Sequence, residues 1–286
     1  MTVENNGWTG ALRPCSNGVE FALEQNGVKK FYTKIENGFV DLYIKGSIHV
    51  ENTVERWMLQ KNPRTSTLNY VYYANGTWVA VGDKDIITSY DGVHWERRDS
   101  KQISYLYSVY YANGTWVTVG QTDIITSTDG VHWAWRGSPQ SATLTSVYYA
   151  NGTWVAVGDK DIITSNDGGV HWERRNSPQT ADLRSVYYAN GTWVTVGNND
   201  IITSNYEGVH WERRNSPQTA DLRSVYYANG TWVAVGDKDI ITSKNGMNWT
   251  QHNSSQTAYL RSVYYANGTW VAVGDKDIIT SKTTVL

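Results

Sequence analysis

The stretch SVYYANGTWVAVGDKDIITS at residues 224–243 has close copies beginning at Ser108, Ser146, Ser185 and Ser262, and no other feature of the chain constrains its fold as tightly. Aligned on the valine of the VYY triplet, the copies place Val71, Val109, Val147, Val186, Val225 and Val263 at spacings of 38, 38, 39, 39 and 38. A fixed period near forty means one supersecondary unit repeated, each copy burying its faces against its neighbours. Within a unit, SVYYA and TWVAVG flank Asn-Gly, the pair that a two-residue type I′ hairpin requires. DIITS follows a short polar turn, and a further turn leads to VHWERR. The unit is four short antiparallel strands, the plan of a propeller blade.

Composition agrees with an all-β reading. Fourteen Trp and 20 Tyr against 3 Phe favour pleated, half-buried surfaces. A formal net charge of -2 gives no general attraction to phosphate backbones or acidic lipids, so neither nucleic acid nor a membrane is expected as partner. Cys15, the single cysteine, excludes an internal disulfide and a Cys-rich metal site, and no cofactor is implied. The N-terminus MTVENNGWTG lacks a basic stretch followed by an apolar run, so a cytoplasmic or non-classically released protein is expected.

Counting units gives an all-β, seven-bladed β-propeller of four-stranded antiparallel blades in one domain, residues 1–286. Repeats cover 68–107, 108–145, 146–184, 185–223 and 224–261, with a partial last blade at 262–286. Residues 19–67 are read as a degenerate first blade, because Trp57 precedes Trp95 by 38. Residues 1–18 are read as the closing strand of the last blade, since VENNGWTGA around Trp8 resembles KNGMNWTQH; six blades plus an N-terminal extension is the alternative.

The turn before the fourth strand resembles the Asp-box, the bacterial neuraminidase repeat of pattern Ser/Thr-x-Asp-x-Gly-x-x-Trp. Residues 165–172 match it through Ser165, Asp167, Gly169 and Trp172; the copies at Ser89–Trp95 and Ser127–Trp133 are one residue shorter, and Tyr206 or Asn245 replaces the Asp in two others. The Asp is expected to accept backbone N–H groups across its turn while the Trp packs between sheets. Sialidases, photosystem II assembly factors, xyloglucanases and propeller lectins share this resemblance, which implies a propeller and leaves the activity open.

Residues at one phase of different blades converge only at the innermost strand. His94, His132, His171 and His210 share an outer slot and are read as solvated. The slot just before the inner strand holds Asn69, Tyr107, Thr145, Arg184, Arg223 and Arg261; two residues earlier stand Asp182, Asp221 and Tyr259 in the last three. Three consecutive arginines could clamp a carboxylate, or Asp182 and Asp221 could neutralise Arg184 and Arg223. On the same face, Arg174, Arg175, Arg213 and Arg214 with Lys160 and Lys238 could frame shallow pockets between blades. Such repeated weak sites suit sugars bound with avidity. The expectation is therefore a non-enzymatic, multivalent, lectin-like protein. The alternatives are a protein-interaction scaffold or assembly factor, and a sialidase-type hydrolase, for which no convincing nucleophile and acid pair stands out. The oligomeric state is left open.

Overall fold

The computed structural model describes the backbone of five strands between residues 2 and 44 and, with side chains, residues 58–281 apart from 64–65, 101–103, 140–141, 160, 179–180, 206, 218–219 and 253–258. Two compact units emerge, Met1–Leu59 and Gln60–Leu286. Among the described residues no helix is long and apolar enough to cross a membrane.

The first unit is a five-stranded antiparallel meander of Thr2–Asn5, Trp8–Cys15, Gly18–Gln25, Val28–Glu36 and Phe39–Ile44 in sequence order. This corrects two expectations. The Trp8 strand is paired along both edges, Trp8 opposite Asn5 on one side and Gln25 on the other, so it has no edge left to serve as the last strand of the final repeat. The segment read as a four-stranded first blade contributes three strands to this meander instead, and Trp57 lies outside the described residues. Short separation along the chain favours pairing with the nearest strand in sequence over a distant one.

The second unit is six repeated antiparallel sheets, five of four strands and a last one of three. The second sheet is typical: Leu106–Ala112, Thr115–Gly120, Ile124–Ser127 and Ala134–Arg136 pair in sequence order. Its first hairpin turns at Asn113 and Gly114, with φ of 48° and 77°, the left-handed pair that the Asn-Gly dipeptide was read to supply. We number the sheets first to sixth: 68–98, 106–136, 144–174, 183–213, 222–252 and 260–282.

Consecutive sheets pack face to face through one repeated interface. Val155, Val157 and Ile162 of the third sheet meet Leu183, Val186, Trp193, Ile202 and Trp211 of the fourth. The same pattern recurs between the other consecutive sheets. Each sheet thus has a Val/Ile face and a Leu/Val/Trp face, and neither is buried without a neighbour. In the third turn, Asp91 Oδ1 accepts from Val93 and His94 N–H at 2.8 Å each, while Trp95 donates its indole N–H to Gly92 O at 3.1 Å. Asn245 fills the same role in the fifth sheet, accepting from Met247 and Asn248 N–H.

Candidate binding site

Two sets of side chains recur on the face that carries the polar turn after the second strand. One lines the central cavity and the other follows the rim.

The central set begins with a backbone irregularity. Each inner strand shifts register just after its Leu, between Leu68 and Tyr70 in the first sheet and between Leu and Ser in the others, as at Leu106 and Ser108, leaving one residue bulged. That residue is the slot singled out from sequence: Asn69, Tyr107, Thr145, Arg184, Arg223 or Arg261. A bulge re-aims its side chain, and here all six line a cavity of about 580 Å³ together with tyrosines and serines of the inner strands. The glycine ending the second strand makes the bulge sterically admissible: a Cβ on Gly120 would lie 1.9 Å from Tyr105 O.

The bulged side chains are committed locally. Asn69 Nδ2 donates to Leu106 O, and Thr145 Oγ1 to Leu183 O, both at 2.8 Å, tying one sheet to the next. Arg184 Nε donates to Asn198 Oδ1 at 2.8 Å; Arg223 and Arg261 pair with Asp237 and Asp275. Pairing is thus local, as one alternative had it, but the partners are not Asp182 and Asp221. Those contribute backbone carbonyls instead, accepting from Asn198 and Asp237 N–H at 2.8 and 2.9 Å. The bulge turns the arginine toward the polar turn of its own sheet, and the residue two positions earlier lies beyond the irregularity. Tyr259 instead lies beneath the Arg223 guanidinium, 5.3 Å from carbon to ring centroid. With two of the three arginines neutralised, the cluster is a weaker anion clamp than its count suggests.

Below this mouth, Tyr72, Tyr110, Tyr148, Tyr187, Tyr226 and Tyr264 stack in sequence with centroids 4.6–4.9 Å apart. Burial first, and then the neighbouring phenols, push Tyr72, Tyr148 and Tyr226 well above the ordinary value of 10.0. These three stay protonated and supply neutral hydroxyls.

The rim set is built on the aspartate that ends the polar turn, Asp85 or Asp239 in the DKD copies, which is buried where such a turn is expected to be solvated or to face a ligand at the rim. Asp85, Asp123, Asp161, Asp200 and Asp239 end the polar turn in five sheets and are all buried. Each faces a side-chain nitrogen of the outer strand: Arg97, Trp135 and Gln251 donate to Asp85, Asp123 and Asp239, the first two at 2.9 and 3.0 Å, while Arg174 and Arg213 form ion pairs with Asp161 and Asp200, the latter at 2.6 Å. What recurs is a side-chain nitrogen facing the aspartate: arginine in three sheets, Trp135 and Gln251 in the other two. The next arginine bonds the central threonine of the third strand: Arg175 Nε donates to Thr164 Oγ1, and Arg214 Nε to Thr203 Oγ1, at 2.7 Å. Their carboxylate neighbours Glu173 and Glu212 complete the pairing at 2.9 and 2.8 Å.

Of the residues expected to frame shallow pockets, Arg174, Arg175, Arg213 and Arg214 are therefore anchored within their own sheets. Lys238 is exposed on its turn, and Lys160 lies outside the described residues. The anchoring leaves the guanidinium ends of Arg174 and Arg213 about half exposed and held in place. Trp135 is held likewise by its indole N–H, yet is 55% exposed.

No family model matches the chain, and no curated protein matches it. Solved structures do. A crystal structure of the computationally designed Ika8 protein aligns over 95% of this chain and 91% of its own, with TM-score 0.64 and 8% identity. A chain of the mitotic checkpoint complex aligns over 80% and 82%, with TM-score 0.58 and 8% identity. The fold is a propeller-like repeat of β-sheets. At such identity the likeness concerns architecture alone.

Proposed function

We propose that this protein binds glycans without cleaving them, through slots repeated along the rim where each outer strand meets the buried aspartate. Trp135 carries the reading. An indole more than half exposed costs solvation, and this one is fixed in place by Asp123, which is itself held by the Ser104 hydroxyl at 2.9 Å. A rigid, exposed aromatic face with hydrogen-bonding groups beside it is what the C–H face and hydroxyls of a sugar ring require. In the corresponding slots of the sheets on either side stand Arg97 and Arg174, each anchored through Nε and offering its remaining N–H groups outward. Graded copies of one slot on a rigid body turn modest single-site affinity into avidity.

Two aspartates at the mouth, Asp237 and Asp275, are spent on Arg223 and Arg261, which supports binding over hydrolysis. The test is equilibrium titration of oligosaccharides against the protein and its Trp135→Ala variant. The reading expects about a tenfold loss, the ~1.4 kcal/mol scale of one aromatic contact. An unchanged affinity would remove Trp135 from the site. A protein-interaction scaffold is the second reading, favoured by the exposed side chains of Leu68, Val71 and Trp78 on the first sheet.

A further inference from the structure

The central cavity of about 580 Å³ presents ionised side chains of one sign: the acids and bases along its lining are Arg184, Arg223 and Arg261, from three consecutive sheets, with no carboxylate among them. The counter-charges stand behind, on the polar turns, and there the copies differ. Asp237 pairs with Arg223 and Asp275 with Arg261, but the same turn position of the fourth sheet is Asn198, whose Oδ1 accepts from Arg184 Nε at 2.8 Å. The exchange leaves the backbone path unchanged: Asn198 and Asp237 N–H reach the carbonyls of Asp182 and Asp221 at 2.8 and 2.9 Å. Arg184 is thus held in place as its two copies are, by a neutral partner that leaves its charge uncompensated. Asp83 and Asp159, at the same turn position of the first and third sheets, do not line the cavity.

Beside each arginine stands the serine of the same inner strand, Ser185, Ser224 or Ser262. Ser185 Oγ accepts from Val225 N–H and Ser224 Oγ from Val263 N–H, each at 3.3 Å, so the hydroxyl spends a lone pair on the neighbouring sheet and keeps its O–H as a donor. We propose that this arc of the cavity binds a tetrahedral oxyanion, the phosphate or sulfate group of a small organic ester, with Arg184 as the charged anchor. Guanidinium groups and hydroxyls offer N–H and O–H donors from three adjacent sheets, which suits three ester oxygens pointing in three directions better than the two coplanar oxygens of a carboxylate. Arg223 and Arg261 add donors with little net charge, since their aspartates compensate them. The cavity has room for the organic part of the ester as well. The site is separate from the rim slots and does not rest on the glycan reading.

The experiment titrates the full chain with methyl phosphate, methyl sulfate and acetate by calorimetry at fixed ionic strength. The proposal expects saturable one-to-one binding of at least one of the two esters, with acetate weaker; the tighter ester tells phosphate from sulfate. Two exchanges between letters the repeats already use test the anchor. Asn198→Asp gives Arg184 the partner that Arg223 has and should weaken the ester by about tenfold, and Asp237→Asn frees Arg223 and should tighten it by a similar factor. Each puts into one sheet the residue another sheet carries at that position, and circular dichroism checks that both variants fold. Absence of saturable binding by either ester overturns the proposal. Acetate binding as tightly as the esters overturns the tetrahedral class, and affinities unmoved in both variants would place the ion elsewhere and overturn the site.

Discussion

Leu183→Ala and Leu68→Ala delete the same side chain at the same position of two sheets, and the packing account requires them to differ. Leu183 is fully buried among Val155, Val157 and Ile162 of the preceding sheet, while Leu68 is 39% exposed, with no preceding repeat sheet over it. At Leu183 the loss combines the transfer free energy of the removed carbons with a cavity between two sheets that cannot collapse without parting their strands. Buried Leu→Ala changes of this kind cost about 2–5 kcal/mol. At Leu68 the removed atoms are partly solvated and leave no enclosed cavity, so the cost is roughly 1 kcal/mol. Urea unfolding followed by tryptophan fluorescence compares the two, with the slope of the transition checked for constancy so that midpoints report stability. Equal losses, or a larger loss at Leu68, would refute the claim that sheet-on-sheet burial holds this unit together.

Three further outcomes follow from named contacts. Gly120→Ala puts a methyl against Tyr105 O and destabilises well beyond the ~0.5 kcal/mol of an ordinary surface change; Gly114→Ala, with open space around it but φ of 77°, costs about 1–2 kcal/mol. Reversal of that order in thermal melts would contradict the bulge geometry. Arg213→Gln retains an N–H that can reach the buried Asp200, as Gln251 reaches Asp239, and should cost less than Arg213→Ala, which removes the ion pair and loses about 1–3 kcal/mol; equal effects would mean the pairing is dispensable. The third concerns pH. His94 Nδ1 lies 2.7 Å from Asp91 Oδ2, and this bond raises His94 above 6.5 while it, with the backbone N–H groups of His94 and Val93, lowers Asp91 below 3.8. The histidine's contribution is complete below 6.5 and fades as pH rises through its raised folded value. The aspartate's is complete above 3.8 and fades as pH falls through its lowered one, so the pair is fully engaged between the two. NMR titration should show the His94 midpoint falling in Asp91→Asn; an unmoved midpoint would remove the pair.

The repeat period, the strand order within a unit and the Asn-Gly turns were all legible in the letters, because each is enforced locally by turn chemistry and alternation. What failed was the pairing of the first sixty residues. Similarity between the Trp8 and Trp249 segments says that both make a strand after a turn, and says nothing about which neighbour each strand finds. Arg184, Arg223 and Arg261 were correctly placed at the cavity mouth, but their partners were misread. Counting along the chain assumes a regular strand, and the bulge breaks that count by one. The glycine at the end of each TWVAVG or TWVTVG run was the available signal, since glycine inside a strand marks such a break. The rim slot was legible only in part: Arg174 and Arg213 stood out as repeated letters, whereas Trp135 and Gln251 share with them only a side-chain nitrogen facing the buried aspartate. Trp135 stands out once Asp123 is seen to hold it.

Binding to a broad glycan array, followed by calorimetric titration of any sugar that binds, tests the central functional claim most directly. The account predicts binding that weakens on replacing Trp135, with more than one sugar taken up per chain at saturation as the weaker arginine slots fill. An array blank for both the parent chain and the variant would contradict it.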